Sequence, residues 1–235
     1  MKVAIFPSLN FYLRRNLVSL LWFACLSGLL CAPIAAQNAA TPTVTFSCDF
    51  PGADPEHYAL SIDSDGRSTY QSDGKLSQQS ERDPFHLDFT VSQSTRTRVF
   101  DLAKRAHYFE GKVDSGKKNI ASSGVKVLAY KDGQKTIQAT YNYSPIVAVQ
   151  ELTALLQSLS STLEFGRRLD YYHHFQKLAL NDELKNMEDL SHRNSLAEIA
   201  AVAPILQTIA NDPSLMNVVR ARAQRLLASS NPDAK

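Results

Sequence analysis

Two rhythms of apolar spacing divide the chain. From Thr43 to Tyr143 apolar residues alternate with polar ones, and from Pro145 to Ser229 they recur at steps of three and four. In the first part Val44, Phe46 and Cys48 alternate with Thr45 and Ser47, predicting a strand. Pro51-Gly52 and Asp54-Pro55 mark turns. His57 to Ile62 and Arg67 to Ser72 predict a hairpin closed at Asp63-Ser64-Asp65-Gly66, where Asp-Gly favours a type I′ turn. Asp73 to Pro84 is polar and reads as a loop; Phe85, Leu87, Phe89 and Val91 restore the alternation. Ser92 then caps a predicted helix through Val99, Leu102, Ala103 and Ala106, ending near His107, with Gly111 closing the next turn. Beyond the loop Asp114 to Gly124, Val125 to Tyr130 and Lys135 to Tyr143 flank Lys131-Asp132-Gly133-Gln134, a second Asp-Gly hairpin.

The second part contains no strand pattern. Pro145 suits a first helical turn, and Val149, Leu152, Leu156, Leu159 and Leu163 form a stripe widened by Leu155. That stripe is too short for a coiled coil and is expected to pack internally. A further helix is predicted from about Arg167 to Leu190, with Gly166 breaking or bending the join. A last pair covers Ser195 to Ala210 and Pro213 to Ala228, with Asp212 as the cap between them. The expected fold is α+β: a small antiparallel sheet with one packed helix (43–144), then a helical region of about four helices (145–229) and a disordered tail (230–235).

The N-terminus changes the picture of the mature chain. Lys2, Arg14 and Arg15 precede an uncharged run from Leu17 through Ala32, and Pro33-Ile34-Ala35-Ala36 exits in small residues. These three parts predict a signal peptide over 1–36, with cleavage after Ala36, at Ala35, or a few residues on, and a flexible lead-in over 37–42. The 20 residues from Leu17 to Ala36 are also long enough for an uncleaved anchor, against which Pro33 argues. Arg14-Arg15 faintly resembles a twin-arginine signal, while neither Cys25 nor Cys31 sits in a lipidation box. Removing this segment leaves basic and acidic residues balanced to within one charge, which gives no electrostatic footprint for nucleic acid. It also leaves Cys48 as the lone cysteine, expected to be buried.

Candidate chemistry is sparse. Asp170 and His174 lie four apart within Asp170-Tyr171-Tyr172-His173-His174, a metal-ligand spacing that still needs a further ligand such as His192 or Glu188. Asp63-Ser64-Asp65-Gly66 opens like a calcium loop, but its glycine arrives early and Gly74 stands where the bidentate acid belongs. No G-x-S-x-G, phosphate loop or dinucleotide fingerprint is present. Lys112, Lys117 and Lys118 read as a solvated loop rather than an anion site. No metal or cofactor is expected, and no catalytic residue is assigned.

Two stretches resemble known families. Asn211-Asp212-Pro213 followed by Val219-Arg220-Ala221-Arg222-Ala223-Gln224-Arg225-Leu226-Leu227 is similar to the second half of a HEAT hairpin, covering 195–228. That resemblance implies an interaction scaffold, although one unit does not make a stacked surface. Residues 57–159 resemble small exported bacterial domains of unknown function, through the Ser61-Ile62-Asp63-Ser64-Asp65-Gly66-Arg67 hairpin, Tyr108-Phe109 and the second Asp-Gly hairpin. The expectation from all this is an exported, periplasmic or extracellular, non-enzymatic module contacting another envelope or extracellular protein, without nucleic acid and without stable membrane insertion after cleavage. The alternative is a secreted or periplasmic hydrolase assembled from scattered residues such as His86, Asp88, His107 and Glu110; a ligand carrier is a third class.

Overall fold

A computed structural model describes residues 41–230 except Gln78 and Gln134. The leader with its cleavage position, most of the lead-in and the tail beyond Ser230 lie outside the described residues.

Strict alternation builds one six-stranded antiparallel sheet, larger than the sequence suggested. Its strands are β1 (Thr43–Asp49), β2 (His57–Asp63), β3 (Arg67–Ser72), β4 (Phe85–Thr90), β5 (Val125–Asp132) and β6 (Lys135–Tyr141), in the order β4-β3-β2-β1-β5-β6. The register lines apolar side chains into rows on one face. Phe46 pairs with Leu60 and Leu128, Leu60 with Tyr70, and Tyr70 with Leu87. The opposite face carries Thr45, Ser47, Ala59, Ser61, Thr69 and Gln71, an arrangement antiparallel sheets tolerate because one side can stay wet. The first hairpin is not type I′. Only Gly66 has positive φ (+94°), and its amide bonds the Asp63 carbonyl at 2.9 Å, so a type I turn is followed by a left-handed glycine.

Two helices rather than one pack on the apolar face. Ser92 caps α1 (Gln93–Arg105) by accepting from Thr95 N at 3.2 Å. The helix stops just short of His107, because His107, Tyr108 and Phe109 all adopt positive φ in a tight 3-10 turn. Burial of Phe109 (1% exposed) and the contact of Tyr108 with Tyr130 (ring centroids 4.4 Å apart) hold that left-handed run in place. Pro145 stands just ahead of α2 (Val147–Phe175), whose leucine stripe packs internally as its spacing implied.

Gly166 does not break this helix; the chain stays helical to Phe175 and breaks at Gln176 (φ −144°, ψ 60°). A glycine is needed there for closeness: a Cβ would meet Val202 Cγ1 at 2.4 Å. Three shorter helices follow, α3 (Leu180–His192), α4 (Ala203–Asn211) and α5 (Asn217–Ser229). Asp212 ends α4 instead of starting α5; it accepts from the Ser214 amide and hydroxyl and forms a turn, so the last helix begins only at Asn217. Buried residues of sheet and helices belong to one continuous core within one compact unit.

Candidate functional site

The helix layer does not stop where the sheet stops. Between edge strand β4, the C-terminal half of α2 and the segment leading into α4 lies an open, largely apolar groove of about 590 Å³. Phe85 and Leu87 form one wall, Leu163 and Gly166 the floor, and Ala201, Val202, Pro204 and Ile205 the other wall. Asp170, His174 and Thr208 stand at its exposed margin. Alternation along β4 turns Phe85 and Leu87 inward, and the 163–166–170–174 stripe of α2 faces them.

Arg167 fixes the geometry of this groove. Its guanidinium is buried, lies 4.9 Å from the centre of the Phe85 ring, and donates to Gly74 O (3.2 Å), Asp83 O (2.6 Å) and Asp83 Oδ2 (2.9 Å). The loop entering β4 is thereby tied to α2. One turn away, buried Glu164 takes hydrogen bonds from Tyr70 OH (2.9 Å) and Ser72 Oγ (2.5 Å) on one oxygen. Its other oxygen sits 3.8 Å from Arg167 Nη1 and so close to Gly74 that a Cβ there would approach to 2.7 Å. With its proton committed to Glu164, Tyr70 accepts from Ser160 at 2.9 Å, and burial pushes the phenol well above its ordinary value. This network locks strand to helix and leaves Glu164 Oε2 without a hydrogen-bond partner, faced only by the Arg167 guanidinium.

The segment before α4 is anchored at a distance. Glu198, in a left-handed conformation (φ 55°), takes hydrogen bonds from Ser92 N (3.0 Å) and Ser92 Oγ (2.5 Å) at the start of α1. At the far end His173 and Lys177 each lie 3.0 Å from Asp212 Oδ2, joining the end of α2 to the turn after α4. The groove is thus clamped at both ends.

A smaller cleft of about 390 Å³ lies between α2 and the loop after β1, lined by Cys48, Tyr58, Gln157, Ser160, Glu164 and Arg168, among others. Cys48 is buried, and burial raises its thiol above the ordinary range, which leaves it protonated and unreactive. Lys126, its cross-strand neighbour, is buried too, and its ammonium donates to Ser123 O, Gly124 O and Asn142 O; burial lowers its pKa.

The residues singled out from the sequence are dispersed. His86 and Asp88 form a 3.1 Å pair on the solvent face of β4, whereas His107 and Glu110 follow α1 near β5 and β6, at the opposite edge of the sheet. The fold thus brings His86 and Asp88 together and sets His107 and Glu110 apart from them. Asp170 and His174 do share a helix face, 3.7 Å apart, but Glu188 is engaged by Arg222 and Arg225 and His192 is exposed. Among the described residues no group of three or more His, Cys, Asp or Glu side chains is placed to hold a metal ion. Asp63 to Gly66 is a hairpin turn, and Lys112, Lys117 and Lys118 lie in an exposed loop. No helix among the described residues is long and apolar enough to cross a membrane.

Sequence reasoning missed the groove because its walls come from three segments far apart in the chain. Phe85 and Leu87 were legible as an inward strand face, and Ala201 and Ile205 only as generic helical apolar positions. Against known proteins, no family model and no curated protein matches the chain.

Proposed function

We propose that this chain is an exported, non-enzymatic binding module that receives another protein of the envelope or exterior in the groove between β4 and α4. One observation carries the reading: the groove is apolar along its walls, open to solvent, and rimmed by a few polar groups, the usual make-up of a binding site. Its one hydroxyl, on Thr208, donates to Pro204 O at 3.0 Å, so that hydroxyl is not paired with a base that would activate it. His174 at the rim turns Nδ1 to the Asp170 carbonyl (2.8 Å) within its own helix. The signal-peptide pattern of residues 1–36 supports the exported setting.

A photo-crosslinking amino acid at Thr208, in protein produced with its leader in the native host, is expected to capture a partner. The same group at Gln138, on the open face of the sheet, is expected to capture none. Uncrosslinked monomer from both positions under several growth conditions counts against the reading. Mass spectrometry of the same preparation is expected to show a chain beginning after residue 36.

A further inference from the structure

We infer that the groove is the seat of a seventh strand: an extended segment of the partner, apolar at alternate positions, that pairs with the outer edge of β4. This rests on the protein-binding reading and names its mode. Three observations converge on it. First, β4 ends the sheet, and among the described residues no strand pairs with its outer side, so its outward backbone groups form an open ladder.

Second, the inward rows of the sheet run out of cover at β4. Along the row Phe46, Leu60, Tyr70 and Leu87, the first three are at most 2% exposed while Leu87 is only half-buried; Phe85 is likewise half-buried. Third, Ala201 and Ile205 across the groove are half-buried as well, so the helix layer overhangs the sheet.

A strand added beside β4 would lie roughly 4.8 Å further out and send every second side chain toward the helices. Those side chains would fall between Leu87 and Ile205, where the 590 Å³ of open space lies. An amphipathic helix, about 10 Å across, fits the same space less well, because it leaves the strand ladder unpaired. His86 and Asp88 point to the other face, where their polar side chains discourage indiscriminate stacking without obstructing the edge.

The test is a display selection of random peptides of about ten residues, a strand's length, on the wild-type chain, with counter-selection on Thr208→Trp, whose indole fills the groove. Ile205→Arg serves as a second counter-selection target should Thr208→Trp melt differently from wild type. Enriched peptides are expected to alternate apolar and polar residues. N-methylation of one alternate set of backbone amides should weaken binding about tenfold or more, and methylation of the other set should be tolerated. Bound peptide should slow amide hydrogen exchange within β4.

Enriched peptides with apolar residues at steps of three and four, or binding indifferent to N-methylation, overturn strand addition and leave the groove reading standing. Failure to find any peptide that separates wild type from both groove variants overturns both. Slow exchange of β4 in the peptide-free chain, with a dimer mass in sedimentation, puts a second copy in the seat and overturns the inference.

Discussion

Tyr70 carries more of the fold than its place in a strand suggests. Its hydroxyl donates to the buried Glu164 side chain, so Tyr70→Phe leaves Oε1 of that group with Ser72 as its one donor away from water. The loss should reach about 1–3 kcal/mol, read as a lower midpoint in urea unfolding with an unchanged slope. Asp212 sets a different signature, in pH. The hydroxyl and amide of Ser214, then Lys177 and His173, hold its carboxyl well below the ordinary 3.8. A folded value depressed below the unfolded one means that the stabilisation is complete above about pH 3.8 and is lost as pH falls beneath it. Thermal melts of Asp212→Asn should therefore decline less steeply than wild type between neutrality and strong acid. Neither role was visible in the sequence. A tyrosine in a strand and an aspartate before a proline gain their meaning from Glu164 and His173, many residues away.

At the scale of elements, α2 and its one glycine decide how close the helical layers come. On propensity alone Gly166→Ala should help a long helix by about 1 kcal/mol. The Cβ would meet Val202 Cγ1 at 2.4 Å, so overpacking wins and the change should cost about 1–3 kcal/mol by denaturant unfolding. The double variant Gly166→Ala with Val202→Ala is expected to recover part of that loss; no recovery would mean the contact is not the cause. The elements themselves were largely legible: six strands, the Ser92 cap and the helical second part follow from local spacing. Their ends were less so. A reader of the sequence places a break or a bend at Gly166 and a helix starting at Pro213 with Asp212 as its cap, because propensity favours both. Packing against Val202 and the side-chain turn at Ser214 settle them otherwise.

Across the whole molecule the two sequence regions do not behave as separate bodies. Helix α2 covers the apolar face of the sheet, through Thr153 on Tyr141 and Ser160 and Glu164 on Tyr70, and also carries the later helices. Residues 41–144 alone would expose Phe46, Leu60 and Leu128 to water. That fragment is expected to show no cooperative melt, whereas residues 41–230 should melt in one transition by both near- and far-ultraviolet circular dichroism. Two separable transitions in the longer chain would refute the shared core. What the amino-acid order determined by itself is local: which residues extend, which coil, and which face of each turns away from water. Alternation and helical spacing are read over a few neighbours at a time. Tertiary structure alone decided where the sheet ends relative to the helices, and hence that a groove opens beside β4. That outcome depends on contacts such as Ser92 with Glu198 and Arg167 with Asp83, between residues that no local pattern connects.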